Sequence, residues 1–231
     1  MKITYLGHSC FSIEVDNKKI LVDPFIKGNS NCVEKNWEQA QHPDYILLTH
    51  GHGDHIGDTL ELAKNSKTVI ISNYEICNWL SNQGLSCLDL NMGNTILDSN
   101  IEICMVPAIH SSSIEFDDGK NIYGGLACGY IIKYKNNSIY HAGDTCLFGD
   151  MKLINDLYHP NIGLLPIGGR FTMTIPDVIY ACNNYFSFDT VIPMHYNTFP
   201  PIIADPSTLV NALQNSSVKK LNIGEEYIIN D

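Results

Sequence analysis

Three histidines and an aspartate lie within six consecutive positions in the segment HGHGDH, residues 50–55. Imidazole nitrogens and carboxylate oxygens are ligands for divalent transition metals, so this segment predicts metal binding. The apolar run before it, residues 45–49, predicts a strand that ends at a sheet edge. Side chains alternate along an extended chain, so His50 and His52 point the same way and can share one ion.

The rest of the segment predicts a second ion beside the first. Gly51 and Gly53 permit a tight backbone turn. A helix is expected to begin at Ile56, so Asp54 and His55 leave the turn in a different direction and suit a neighbouring ion.

Two ions need more ligands than four residues provide, and the ends of other predicted strands supply them. The additional candidates are His110, Asp144 and His195, each of which follows a predicted strand. The predicted set is His50, His52 and His110 for one ion and Asp54, His55 and His195 for the other, with Asp144 between them. A catalytic site for Zn²⁺, with one position open to water, uses such mixed ligands, and Mn²⁺ or Fe²⁺ accept the same donors.

Two predicted β-hairpins lead to aspartates at strand ends. CFSIEV and KKILV flank a turn at residues 16–17, and the second strand ends at Asp23. YIIKYK and SIYHAGD flank a turn at residues 136–137 and end at Asp144. Each half continues with a short apolar strand, a helix and another strand, which indicates an internal duplication whose halves meet near residues 115–125.

The expected helices are marked by residues that favour helix ends. Asn73 is a predicted N-cap for YEICNWLSNQ, and Gly84 would end that helix. Thr174 is a predicted N-cap for a second helix, in which apolar residues recur at helical spacing. A third helix is expected to begin near residues 205–206 and to carry STLVNALQNS.

Composition limits the classes of protein that this chain can form. Its 231 residues are 44% hydrophobic and 17% charged, which is typical of a folded chain and favours a single domain over residues 1–231. The net charge of −11 and the scattered basic residues disfavour binding to long nucleic acids. The sequence leaves the oligomeric state open, a homo-oligomer included.

The sequence also favours a cytoplasmic protein. No apolar run approaches the roughly 20 residues that span a bilayer, and MKITYLGHSCF lacks the features of a signal peptide. The eight cysteines form no C-x-x-C pair and lie mostly in apolar segments, which favours packed, reduced thiols over disulfides.

Several motifs together resemble a known superfamily. THGHGDH, HSS from His110, HAGDT and MHYNTFP resemble the metallo-β-lactamase superfamily. GHSCF, VDPFIKGN, HAGDTCLFGDM, PIGGRFTM and HYNTFPPI resemble, more narrowly, a family of metal-dependent hydrolases related to L-ascorbate 6-phosphate lactonase. The resemblance covers nearly the whole chain and implies an α+β fold, the four-layer αββα sandwich, with metals at one edge. It implies the same seven ligands, and its departures, at Cys146 and in MTIPDV, involve none of them.

Two divalent ions in such a site lower the pKa of a bound water to roughly 7, which yields a hydroxide nucleophile without a serine or cysteine. Asp54 is predicted to have a second, catalytic task, orienting the nucleophile and passing its proton to the leaving group. Asp23 is expected to hydrogen-bond a ligating histidine and fix its tautomer. His42, His141 and His159 are interpreted as ordinary histidines.

The predicted substrate is a small, anionic ester, lactone or phosphoester. His8, Arg170 and Asn197 are candidate substrate-binding residues, because His8 follows a strand, Arg170 is the only arginine and Asn197 follows a predicted ligand closely. A phosphodiesterase or nuclease is the main alternative. A di-iron redox protein is less favoured, because such proteins typically carry a carboxylate where His52 stands. A metal-binding protein without catalysis is less favoured, because the ligand set is complete.

Overall fold

The computed structural model describes residues 1–64, 67–98, 100–116, 118–213 and 215–229. The chain divides into two compact units, each built from discontinuous segments. The first unit comprises Met1–Asn91, Ser111–Ala127 and Asn222–Asn230, and the second comprises mainly Met92–His110 and Cys128–Leu221. A single domain over residues 1–231 stays a prediction.

The first unit is organised around a seven-stranded sheet. Its strands are β1 (Lys2–Gly7), β2 (Cys10–Val15), β3 (Lys18–Val22), β4 (Tyr45–Leu47), β5 (Val69–Asn73), β6 (Cys87–Leu90) and β16 (Glu226–Ile228). The order is β16-β1-β2-β3-β4-β5-β6, antiparallel from β16 to β3 and parallel from β3 to β6. Two antiparallel pairings make β1 parallel to β3, so the carboxyl ends of β1, β3 and β4 lie at the same edge.

The first hairpin has the turn that the sequence predicts. Asp16 and Asn17 both adopt left-handed backbone, with φ of 49° and 61°, as a type I′ turn requires. A separate two-stranded hairpin in this unit consists of β9 (Ser113–Glu115) and β10 (Asn121–Tyr123).

The described residues of the first unit form four helices. They are α1 (Glu34–Ala40), α2 (Gly53–Ile56), α3 (Thr59–Ala63) and α4 (Tyr74–Ser81). Asn73 caps α4 as predicted, because its side chain accepts the N–H of Ile76 at 2.9 Å. The core of this unit includes Leu21 and Ile46 from the sheet and Ile76 from α4.

The expected start of a helix at Ile56 is wrong, since α2 already begins at Gly53. The carbonyl of His52 accepts N–H groups from His55 at 3.0 Å and Ile56 at 2.9 Å, so the helical turn closes earlier. Asp54 therefore lies in the first turn of α2, and the helix orients its side chain.

The second unit repeats the pattern of pairings. Its strands are β7 (Thr95–Asp98), β8 (Ile101–Pro107), β11 (Cys128–Tyr134), β12 (Asn137–His141), β13 (Ile162–Pro166), β14 (Thr190–Met194) and β15 (Ser217–Val218). The order is β15-β14-β13-β12-β11-β8-β7, antiparallel from β7 to β12 and parallel from β12 to β15. β8, β12 and β14 therefore run in the same direction and end at the same edge.

The second hairpin turns one residue earlier than predicted. Tyr134 pairs with Asn137, so Lys135 and Asn136 form the turn, and Lys135 has a left-handed φ of 53°. The tertiary fold decides this register, because a shift by one residue would turn the buried side chain of Tyr140 to the opposite face.

The helices of the second unit are α5 (Met151–Tyr158), α6 (Ile175–Asn184) and α7 (Ser207–Ala212), with a 3₁₀ turn at Pro200–Ile202. α7 begins after Pro206, near the predicted start, but ends at Ala212, and Gln214 of the predicted helix lies outside the described residues. The core includes Tyr140, Phe186 and Phe188, whose rings stack in sequence. Within the described ranges, no helix is long and apolar enough to cross a bilayer.

The predicted N-cap of α6 is present as a capping box. The Thr174 hydroxyl donates to Asp177 Oδ2 at 2.7 Å and accepts the Asp177 N–H at 3.4 Å. Asp177 Oδ2 also accepts the N–H of Thr174 at 2.9 Å. Two N–H groups at the helix start are thus satisfied by side chains.

We expect Thr174→Ala to lower the free energy of unfolding by about 1 kcal/mol, because the N-cap oxygen is lost. For a chain of this size that corresponds to a melting temperature lower by about 2–4 °C. Urea and thermal denaturation would measure both. Thr174→Ser keeps the hydroxyl and should unfold like the wild type, and equal losses in the two variants would contradict the capping role.

Candidate metal centre

In the first unit, strand ends bring together most of the predicted ligands. His8 directly follows β1, Asp23 directly follows β3, and the segment 50–55 follows β4 and enters α2. These three strand ends share one sheet edge, so their side chains converge. We define the N-terminal cluster as His8, His50, His52, Asp54 and His55.

Asp23 is the hydrogen-bonding centre beneath this cluster. Its side chain is fully buried, and its Oδ1 accepts the backbone N–H of Thr49 at 2.9 Å. Its Oδ2 accepts the Thr49 hydroxyl at 2.7 Å and faces His55 Nδ1 at 2.7 Å. The predicted contact between Asp23 and a histidine of the cluster is confirmed.

These contacts fix which ring nitrogens carry protons. An ionised carboxylate only accepts, so the proton of His55 lies on Nδ1 and Nε2 keeps its lone pair. The Thr49 hydroxyl gives its proton to Asp23, so its oxygen accepts from His50 Nδ1 at 3.0 Å. The Nε2 atom of His50 therefore also presents a lone pair.

The side chains of His50 and His52 lie next to each other, as the alternation of side chains along an extended segment predicts. The Nε2 atom of His50 lies 3.0 Å from Nδ1 of His52, and the Ser111 hydroxyl lies 3.3 Å from His52 Nε2. Position 51 requires glycine, because a Cβ there would approach the Ser113 carbonyl oxygen to 2.8 Å. Two ring nitrogens at this separation are suited to binding one metal ion.

Asp54 divides its oxygens between two histidines. Its Oδ2 lies 3.1 Å from His8 Nε2, and its Oδ1 lies 3.9 Å from His55 Nε2. One ligand atom each from His8, Asp54 and His55 lies within 4.8 Å of the others. The Asp54 side chain is 29% exposed, whereas those of His8 and His55 are fully buried.

In the second unit, His110, Asp144 and His195 form what we call the C-terminal cluster. His195 directly follows β14, Asp144 follows β12 and His110 follows β8, at the edge where these strands end. Asp144 Oδ2 lies 3.0 Å from Nε2 of His195 and 3.6 Å from Nε2 of His110. Asp144 and His195 are buried, and His110 is half-buried.

Thr145 connects the loops that carry this cluster. Its hydroxyl accepts the N–H of Ile109 at 3.0 Å and donates to the Cys146 carbonyl at 2.8 Å. On the other side, Gly168 must be glycine, because a Cβ there would approach the carbonyl oxygen of His195 to 2.3 Å. Thr145 thus joins the loop of Asp144 to that of His110, and Gly168 permits the close approach of the His195 backbone.

Left-handed backbone recurs at both clusters. His8, Asp23 and His195 have φ of 54°, 45° and 53°. Non-glycine residues rarely adopt this conformation, and histidine and aspartate are among those that do so most readily. Each of these residues directly follows a strand, so the turn redirects the chain and presents the side chain at the edge.

The candidate substrate-binding residues differ in their surroundings. His8 is buried against Asp54. Arg170 is exposed, and its guanidinium lies 5.3 Å from the Phe171 ring centroid. Asn197 is exposed, and its Oδ1 accepts the N–H of Ala204 at 2.9 Å, which ties down its own loop. Their predicted roles stay predictions.

The histidines interpreted as ordinary have local structural contacts. His141 Nδ1 accepts the N–H of Gly143 at 3.2 Å. His159 has left-handed backbone, with φ of 45°, as the C-cap of α5. The hydrogen bond of His141 and the capping position of His159 fit structural roles for these two residues.

Sequence analysis missed Thr49 and Thr145 as supporting residues. Each adjoins a predicted ligand, Thr49 before His50 and Thr145 after Asp144. A hydroxyl beside a ligand in sequence is the only signal that could have indicated them.

The donor set of both clusters fits a transition-metal ion. The N-terminal cluster presents two lone-pair nitrogens, on His50 and His55, and the carboxylate of Asp54 lies 3.9 Å from the one on His55. The C-terminal cluster presents two imidazole nitrogens against one carboxylate oxygen. Imidazole and carboxylate donors of this kind bind Zn²⁺, Mn²⁺ and Fe²⁺.

Comparison with known proteins agrees with this chemistry. The model of the β-lactamase superfamily domain matches residues 2–195. A UPF0173 metal-dependent hydrolase of Methanopyrus kandleri is 42% identical over 230 residues, which cover 99% of this chain and 96% of the relative. One from Lysinibacillus sphaericus is 43% identical over 226 residues and 98% of both chains. The solved structure of a metallo hydrolase from the archaeon Ignicoccus hospitalis matches with a TM-score of 0.87 at 35% identity, over 99% of both chains.

These matches assign the chain to a superfamily and to a family within it. The class is the β-lactamase superfamily, and the predicted α+β fold, that of the metallo-β-lactamases, is confirmed. Within this class, the chain belongs to the UPF0173 family of metal-dependent hydrolases. The predicted enzyme class, a metal-dependent hydrolase, is confirmed as well.

We expect Asp23→Asn to weaken metal binding by about 10- to 100-fold, because an amide cannot accept all three hydrogen bonds of the carboxylate. Competition with a chromogenic chelator would measure the affinity. Thr49→Val should show part of this loss, and Thr49→Ser should retain wild-type affinity.

Asp16→Asn makes the same substitution at an exposed turn and is the matched control. The affinity of this variant for metal should equal that of the wild type. Circular dichroism would verify that each variant is folded. Wild-type affinity in folded Asp23→Asn protein would contradict the orienting role of Asp23.

Proposed function

We propose that this hydrolase holds two divalent metal ions with residues of both clusters and hydrolyses a small anionic ester, lactone or phosphoester. The proposed ligands are His50, His52 and His110 for one ion, Asp54, His55 and His195 for the other, and Asp144 for both. Zn²⁺ is the proposed metal, and Mn²⁺ or Fe²⁺ suit the same donors.

The observation that carries this proposal is the tautomer pattern set by Asp23. Through direct and Thr49-mediated hydrogen bonds, it leaves lone pairs on Nε2 of His50 and of His55. Buried imidazoles arranged in this way have the preorganised, oriented form that metal ligands need. This arrangement supports metal binding by the cluster. Membership of a family of metal-dependent hydrolases supports hydrolysis as the reaction.

When bound, a pair of such ions lowers the pKa of a water to roughly 7 and polarises a carbonyl or phosphoryl oxygen. The chain supplies positioning and proton transfer. Asp54 is proposed to take the proton from the attacking water and pass it to the leaving group. Its 29% exposed side chain supports this task, because substrate can reach it while His55 is buried.

His8, Arg170 and Asn197 are proposed to contact substrate. His8 lies 3.1 Å from Asp54, so a group that reaches Asp54 lies next to it. Arg170 is exposed and carries a forked cation that suits carboxylate or phosphate. Its charge and those of the ions would attract an anion despite the net charge of −11.

The proposal extends to the location, the domain organisation and the substrate size of the enzyme. A cytoplasmic location and one hydrolase domain over residues 1–231 are proposed, and long nucleic acids are disfavoured as substrates by the acidic balance. A phosphodiesterase acting on small substrates is the alternative that the same ligands serve.

One rate comparison tests the proposed function and distinguishes phosphoester hydrolysis from lactone hydrolysis. Protein loaded with Zn²⁺ or Mn²⁺ would be assayed on an activated phosphodiester and on a sugar lactone. We expect turnover of at least one substrate, lost in Asp144→Ala and retained in Asp150→Ala, since the Asp150 side chain makes no capping hydrogen bond.

In the same assay, Arg170→Ala should raise KM more than it lowers kcat, because its proposed contact binds the anion. Equal activity in Asp144→Ala would contradict the metal mechanism, and an unchanged KM would contradict the role of Arg170. Failure of the loaded wild type on both substrates would contradict the proposed substrate class.

Asp54→Asn should lower kcat by about 100-fold or more while much of the metal is retained, because the amide cannot accept a proton. Metal content by atomic emission and kcat would be measured on the same sample. Equal fractional losses of metal and turnover would show that Asp54 is a ligand and has no separate catalytic task.

A further inference from the structure

An apolar groove lies beside the metal-binding segment in the first unit. Its volume is about 340 Å³, and its apolar side chains are Ile56 of α2, Leu60 of α3, Trp79 of α4, Ile114 of β9 and Phe116 directly after β9. Ile56 and Ile114 are buried, whereas Leu60 and Phe116 are each 38% exposed. Cavities of roughly 300–1,000 Å³ with mainly hydrophobic and aromatic walls are typical of small-molecule sites.

The groove begins at the N-terminal cluster. Gly51, which separates His50 from His52 in the sequence, forms part of its lining. So does Gly53, which separates His52 from Asp54. A Cβ at position 53 would meet no atom of the described residues within 4 Å, so open space adjoins the backbone at this point. A group bound in the groove is therefore next to the predicted ligands.

One wall of the groove starts from contacts with the same cluster. The Ser111 hydroxyl lies 3.3 Å from His52 Nε2, and the Ser112 hydroxyl accepts the N–H of Gly51 at 3.1 Å. From these contacts the chain continues through β9 to Phe116. The wall thus extends away from the cluster, and one end of the groove is fixed to the candidate metal site.

The two aromatic rings of the groove contact each other edge to face. The ring centroids of Trp79 and Phe116 are 6.2 Å apart, with an interplanar angle of 84°. Aromatic pairs favour this geometry, so the two rings form a defined apolar surface.

The charge of the groove limits what it can bind. Among the described residues that line it, Glu115 alone is charged, and it is exposed. Its carboxylate would repel an anionic group. The groove therefore favours an uncharged, apolar part of a ligand.

We propose that this groove binds an alkyl or aryl group of the substrate, while the anionic, hydrolysable group lies at the metal ions. This inference rests on the proposed function and narrows it to esters, lactones or phosphoesters that carry a hydrophobic group. Burial of such a group removes apolar surface from water, so each methylene that enters the groove should tighten binding about fourfold.

The binding of straight-chain carboxylates tests the groove without requiring turnover. Each carboxylate offers an anionic group to the metal ions and an alkyl chain to the groove. Carboxylates of increasing chain length would be titrated into Zn²⁺-loaded Trp37→Phe protein, in which Trp79 is the only tryptophan. We expect the fluorescence of Trp79 to change on binding, and Kd to fall about fourfold with each added methylene until the groove is full.

Variants of Leu60 in the same background test the assignment. Leu60→Glu places a charge in the groove at a half-exposed position, and the dependence of Kd on chain length should be lost. Leu60→Met keeps an apolar side chain and should retain it. Leu153→Glu makes the same substitution at a 54% exposed leucine of α5, outside the groove, and should also retain it. Circular dichroism would verify that each variant is folded.

Two results on the groove would overturn the proposal. One is a Kd that does not depend on chain length in the Trp37→Phe protein, or a dependence that persists in folded Leu60→Glu. The other is a dimer, detected by analytical ultracentrifugation, that Leu60→Glu dissociates, because the groove would then bind a second copy of the chain.

Asp144→Ala separates this proposal from the proposed function. Weaker binding of every carboxylate by the same factor, with the dependence on chain length retained, would support both. Unchanged Kd values with the same dependence would support the groove and contradict the metal site.

Discussion

The N-terminal cluster depends on the buried carboxylate of Asp23. An isolated buried charge costs several kcal/mol, so this side chain is tolerated only because Thr49 and His55 satisfy its oxygens. The same bonds set the protonation of His50 and His55, since each imidazole gives its Nδ1 proton toward Asp23 directly or through Thr49. One charge thereby orients two predicted ligands, and its loss would affect both.

The chain uses one arrangement of strands twice, and with different results. An aspartate follows the second strand of a hairpin in each unit, Asp23 after β3 and Asp144 after β12. Asp23 contacts Nδ1 of His55 and thereby orients a predicted ligand. Asp144 faces Nε2 atoms of His110 and His195, and all three residues are predicted ligands. Parallel strand ends gather side chains at one edge in both cases, and neighbouring residues decide their roles.

Local signals in the sequence predicted the elements that carry the clusters. The first hairpin turn and the caps at Asn73 and Thr174 depend on a few adjacent residues, and all three are present. The second hairpin turn and the start of α2 were misplaced. Both depend on which side chains are buried and which carbonyls are available, and a sequence pattern does not encode these choices locally.

The sequence by itself determined the donors: the types, the order and the strand-end positions of the histidines and aspartates follow from alternation and turn chemistry. Only the tertiary structure decided which nitrogens present lone pairs. A tautomer is fixed by the hydrogen-bond partner, and the partners of Asp23 lie 26 and 32 residues away along the chain. The contact of His8 with Asp54 across 46 residues likewise forms only because separate strands end at the same sheet edge.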